Sequence, residues 1–180
     1  TIPKDLFMKL RGLCILVLMI FVSHLYSQSW KELNPPPNIF NEEILSVVAD
    51  LKGNIYAAGK FKNLENKFVV AKWDGQHWLE LGSGSGALNA NNFIYCLAVD
   101  TTGNLYAAGS FTNSTGYTSI AKWDGTKWSE VGGLVNALNP NGYIHTMTID
   151  VTGNLFVAGS CTDTSGNGYV ARWNGMSWSQ

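Results

Sequence analysis

The chain repeats itself at a fixed interval. Ala71-Lys72-Trp73-Asp74-Gly75 returns as Ala121-Lys122-Trp123-Asp124-Gly125 and then as Ala171-Arg172-Trp173-Asn174-Gly175, with a step of 50 residues each time. Trp78, Trp128 and Trp178 keep that step, as do Asp50, Asp100 and Asp150, and Gly59, Gly109 and Gly159. So do the Gly-Asn pairs that begin at Gly53, Gly103 and Gly153. A constant period of this length means one supersecondary unit stacked several times, each copy burying a face on the next.

Each unit reads as four short strands. The first is Ile44–Ala49, echoed by Ile94–Val99 and Ile144–Ile149, and it ends in Asp-x-x-Gly-Asn. That ending suits a tight turn, with Asp at its start and Gly where φ is positive. The second strand covers residues 55–59, 105–109 and 155–159, and its Ala and Gly content predicts close packing against a neighbouring sheet. The third runs into Lys72-Trp73 and its counterparts; Asp74-Gly75 then makes a hairpin turn, and Trp78 opens the fourth. Several strands, such as Ile94-Tyr95-Cys96-Leu97-Ala98-Val99, are apolar on both faces. A sheet with one wet face would alternate.

Sheets stacked face to face around an axis satisfy that pattern. The expected fold is therefore all-β: a partial β-propeller of three four-stranded antiparallel blades, over residues 44–82, 94–132 and 144–180. Trp30-Lys31-Glu32-Leu33 matches Trp78-Leu79-Glu80-Leu81 and Trp128-Ser129-Glu130-Val131, which predicts one N-terminal closing strand at 30–33. Propellers have roughly 4–8 blades, so a segment of a longer protein is expected.

The N-terminus reads as an export signal. Lys9 and Arg11 precede an apolar run at residues 13–22, and the small polar stretch at 23–28 follows, so residues 8–27 fit a secretory signal peptide cleaved after Ser27. Ten apolar residues fall short of the roughly 20 needed for a membrane span, and no membrane insertion is expected after cleavage. Residues 1–7 are upstream, non-native sequence on this reading. Cys14 would leave with the signal, and Cys96 with Cys161 then form either a disulfide or two buried small hydrophobes.

Composition excludes some partners. Net charge is −1 and no Lys/Arg run occurs in the body of the chain, which argues against nucleic acid and anionic membrane surfaces. An unknown protein or a carbohydrate remains as the expected ligand.

Residue types that could carry chemistry are present, but in scaffold positions. The Trp residues recur in every unit, as blade packing requires. Asp50, Asp100 and Asp150 share one turn position, where a carboxylate bonds the backbone two residues on. The stretch from Asp163 to Gly168 resembles a calcium loop but has Ser at the second ligand position and no acid at the twelfth. His77 aligns with Lys127 and Ser177, and His145 with Leu45 and Tyr95, so neither belongs to a shared site. Glu32, Glu80 and Glu130 recur on the outer strand, where charge discourages edge pairing. Asn113-Ser114-Thr115 is a glycosylation sequon. No catalytic, metal or cofactor set emerges, and no cofactor is implied.

The pattern Asp-x-x-Gly-Asn-[Ile/Leu]-[Tyr/Phe]-x-Ala-Gly, followed by Ala-[Lys/Arg]-Trp-[Asp/Asn]-Gly-x-x-Trp, resembles the repeats of secreted bacterial kelch-like propellers over residues 30–180. Ala58-Gly59 and its counterparts replace the usual kelch double glycine. The resemblance implies a secreted or cell-surface protein of the kind that often carries a type IX secretion sorting domain. Function is expected in the loops, at 83–93 and 133–143 between blades and at 61–67, 111–117 and 161–167 within them. The reading is an exported, non-catalytic binding or adhesion module. The alternative is a propeller segment of a secreted polysaccharide- or peptide-acting enzyme with its catalytic residues elsewhere.

Overall fold

The computed structural model describes residues 33, 39–133 and 137–180. They form three four-stranded antiparallel sheets, the blades of a partial β-propeller. The first blade comprises β1 (Ile44–Ala49), β2 (Ile55–Gly59), β3 (Ala71–Trp73) and β4 (Trp78–Glu80). The second comprises β5 (Ile94–Val99), β6 (Leu105–Thr112), β7 (Thr118–Trp123) and β8 (Trp128–Glu130). The third comprises β9 (Ile144–Ile149), β10 (Leu155–Thr162), β11 (Gly168–Trp173) and β12 (Trp178–Ser179). Residues 8–27, 1–7 and 30–32, which carry the signal, the upstream segment and most of the closing strand, lie outside the described residues.

Strand order within each blade follows the chain, so every blade is a meander. The first strands β1, β5 and β9 are neighbours across blades. The backbone N–H of Leu97 in β5 donates to Ser46 Oγ in β1 at 3.0 Å. These strands therefore form the inner side of the fan, and β4, β8 and β12 its outer side.

Strand β6 shows why the sequence is apolar on both faces. Leu105 and Ala107 pack with Tyr56, Ala58 and Val70 of the first blade. Tyr106 and Ala108, one residue out of phase, pack with Ile144, Leu155 and Val157 of the third. Side chains alternate across a strand, so a blade between two others needs apolar residues at every position.

The small residues serve two purposes. Ala58, Ala107 and Ala108 are fully buried where blades meet. Gly59, Gly109 and Gly159 answer a closer neighbour, a strand of their own blade and not the adjoining sheet. A Cβ there would collide with the carbonyls of Glu43, Phe93 and Tyr143 respectively. In all three blades the pairing register shifts beside this contact, between Ile44 and Ser46, between Ile94 and Cys96, and at Ala158 and Gly159 opposite Ile144 and Thr146. Cys96 and Cys161 are free thiols, buried in the same cluster between the second and third blades.

Candidate functional site: the loop-bearing end of the blades

The two ends of the blades are built differently. One end carries the turns between first and second strands and between third and fourth strands. Asp50 Oδ1 accepts from the backbone N–H groups of Lys52 and Asn54, both at 2.9 Å, and Gly53 takes φ +84°. Asp100 and Asp150 repeat this geometry. Hydrogen bonds from the Asn154 amide and the Thr152 hydroxyl hold the Asp150 carboxyl well below the usual carboxylate range. At the other hairpin, Asp124 Oδ1 accepts from the backbone N–H groups of Lys127 and Thr126, which brings its pKa down to about 2. That hairpin loop takes four residues, 74–77 and its counterparts, between the paired Trp73 and Trp78. These carboxylates are spent on their own turns.

The opposite end gathers the segments whose sequences differ between copies. Asn91, in the linker before β5, accepts from the Thr112 backbone N–H at 2.9 Å and donates its amide to Thr112 Oγ1 at 2.8 Å. Asn41 with Lys62 and Asn141 with Thr162 make the corresponding tie. Linker and second-to-third-strand loop are thus clasped together in all three copies. The loop itself is shaped by Asn63, Asn113 or Asp163, each accepting two backbone N–H groups from within it. Asn66, Gly116 and Gly166 supply the left-handed residue the loop requires, at φ +60°, +86° and +83°.

Under two of these clasps lies a cavity. The second blade holds one of about 270 Å³, reaching Asn89, Thr112, Asn113, Ser119, Trp128 and Glu130. The first blade holds one of about 330 Å³, with Ile39, Lys62, Asn63, Val69 and Glu80 at the equivalent positions. Glu130 is half-buried and is more than an edge charge: Oε1 accepts from Asn113 Nδ2 at 2.8 Å and Ser119 Oγ at 3.2 Å. The amide of the sequon asparagine is therefore committed to Glu130. Glu80 accepts from Asn63 in the same manner at 3.2 Å, from a more exposed position.

A row of aromatic rings crosses the same end. Phe68, Phe93 and Tyr95 follow one another with centroids 5.2 and 6.2 Å apart. His145 stacks on Tyr95 at 5.3 Å with an interplanar angle of 21°, and Tyr143 meets Tyr95 at 6.4 Å. His145 and Tyr143 are exposed. Sequence comparison set His145 aside because its counterparts are Leu45 and Tyr95. In stacked blades, equal positions on inner strands are spatial neighbours, and His145 packs on its own counterpart. The signal was in the alignment of copies, read across blades instead of within one.

The remaining candidates resolve into structure. Trp78 and Trp128 are buried, each tilted against the preceding Trp of its hairpin at 5.5 and 5.7 Å. His77 lies 4.0 Å from Asp74 in an exposed turn. Asp163 turns its carboxylate onto Ser165 and Asn167. Among the described residues no group of three or more His, Cys, Asp or Glu could hold a metal ion.

The fold is that of a partial β-propeller. No protein-family model matches the chain, and no curated protein matches it in sequence. Among solved structures, the chain is similar to a fucose lectin from Kordia zhangzhouensis in complex with methyl-fucoside, at 16% identity and a TM-score of 0.46. The similarity covers 74% of this chain and 94% of the lectin chain.

Proposed function

We propose that this protein is an exported, non-catalytic binding module that presents the loop-bearing end of its propeller to a protein or carbohydrate ligand at the cell surface or outside the cell. The observation that carries this reading is the difference between the two ends. One is closed by near-identical turns whose carboxylates are satisfied locally. The other holds variable loops and exposed aromatic rings on a shared rigid frame. Recognition residues sit on loops held by a scaffold, and aromatic rings give contact area at low entropic cost.

The signal-like segment at 8–27 and the resemblance to secreted kelch-like propellers support export. The test is to expose the purified full chain to immobilised glycan and surface-protein panels, with parallel turnover assays on polysaccharides and peptides. Saturable binding without turnover, weakened by Tyr95→Ala or His145→Ala, is the expected result. Turnover of a substrate that a single substitution abolishes would overturn the reading.

A further inference from the structure

We propose that the cavity of the second blade is a binding site for one neutral, polyhydroxylated ligand the size of a single sugar ring; this rests on the binding-module reading and deepens it. The directions of the hydrogen bonds lead to that chemistry. Thr112 Oγ1 accepts from Asn91 Nδ2 at 2.8 Å, so its own proton is free to be given to a guest. Beside it the Glu130 carboxylate can only accept, and Asn113 and Ser119 both reach it through Oε1. A guest that accepts from Thr112 and donates to Glu130 satisfies both, as a hydroxyl does.

Charged guests fit less well. An anion would face Glu130, and the position of Lys62 in the first blade is held here by Thr112, so no lysine or arginine lines the cavity. An ammonium donates only and leaves the Thr112 proton without an acceptor. Phe111, Ala121 and Trp128 give the lining an apolar part that suits the C–H face of a ring, beside the polar Asn89 and Ser129. A volume of about 270 Å³ lies just below the ~300–1,000 Å³ of sites for drug-sized molecules, which limits the guest to a smaller one.

The other copies show which positions decide the matter. The first blade has Val69 and Ile39 where the second has Ser119 and Asn89, so the same cavity there sets Asn63 and Glu80 against a more apolar wall, with Lys62 in place of Thr112. The third blade has Tyr169 and Gln180 where the second has Ser119 and Glu130. The clasp is common to all three, and the set Thr112, Ser119 and Glu130 belongs to one. One such site among the described residues follows.

The experiment is an NMR titration of the full chain with the methyl glycosides of glucose, galactose, mannose and fucose, repeated on Tyr95→Ala and on three further variants. Ser119→Val installs the residue the first blade already tolerates, Glu130→Gln keeps shape while removing charge, and Glu80→Gln is the control. The expected result is one-site binding of at least one glycoside at ~1 mM, the weak range for so small a ligand. Both cavity variants should weaken it at least 10-fold, and the control should leave it unchanged; melting curves confirm that each variant folds. Glycoside binding that survives both variants but is lost in Tyr95→Ala would overturn the cavity and leave the binding module standing. Binding to a protein panel with none to the glycosides would do the same. Absence of all saturable binding would overturn both.

Discussion

The indole N–H of Trp128 donates to the carbonyl of Leu81 at 3.0 Å, crossing from the outer strand of the second blade to the end of the first. Trp78 makes the same bond to Leu33 at 2.6 Å, 45 residues earlier in the chain. The recurring tryptophan is thus a tie between successive copies as well as a filler of the space between them. The third copy departs from this: Trp178 Nε1 is buried with no partner among the described residues.

Two substitutions separate the tie from the packing. Trp128→Ala removes a buried ring from between blades and is expected to cost about 3–5 kcal/mol. Trp128→Phe keeps most of the ring and leaves the Leu81 carbonyl without its donor, at about 1–2 kcal/mol. Urea denaturation of both variants measures the difference. Equal costs would show that the hydrogen bond carries the whole effect.

Blade stacking also sets how much a repeated position matters. Ile94 is 0% exposed against the first blade, whereas its counterpart Ile44, on the outward face of that blade, is 44% exposed. Ile94→Ala is expected to cost about 2–5 kcal/mol and Ile44→Ala under about 1 kcal/mol, since only the first leaves a cavity. Matched denaturation curves decide it. A large loss at Ile44 would mean that this face is covered in solution.

Much of the fold was legible because its rules are local. A period of 50 residues, turn residues at fixed offsets and strands apolar on both faces point to stacked four-stranded sheets before any coordinate is known. The first strands at Ile44, Ile94 and Ile144 begin where the repeat places them. In the second and third blades, the second strand runs three residues past Gly109 and Gly159, to Thr112 and Thr162, because it pairs there with β7 and β11. The site was less legible. Asn91 and Thr112 are 21 residues apart and meet because the linker folds back, and the stacking of His145 on Tyr95 joins two blades. Relations between copies depend on how the blades fan, which no single repeat encodes.

The two buried thiols give a chemical readout of the second interface. Burial pushes the Cys96 thiol up to about 12 and raises that of Cys161 as well. The thiolate is the reactive form, so both are expected to resist iodoacetamide at neutral pH in the folded protein and to react in denaturant. Mass spectrometry of alkylated peptides counts them. Rapid native-state labelling of Cys161 alone would show that the third blade opens independently of the second.

The acid limb of the stability curve should trace to the turns. Asp124 accepts from Lys127, Thr126 and the Thr126 hydroxyl, and its pKa is held at about 2 against the ordinary ~3.9 of an unfolded aspartate. A depressed carboxylate stabilises the fold above the unfolded value, and that contribution fades as pH falls through the folded one. The window for Asp124 is therefore from about pH 4 down to about pH 2. The third blade supplies a natural control, because Asn174 holds the equivalent hairpin with Oδ1 accepting from Met176 and Ser177 at 2.9 Å. Asp124→Asn is accordingly expected to fold normally at pH 7 and to lose less stability than the parent between pH 4 and pH 2. Thermal melts across that range read the difference directly. Parallel curves for the two proteins would show that the carboxylate gains nothing from its turn that an amide does not.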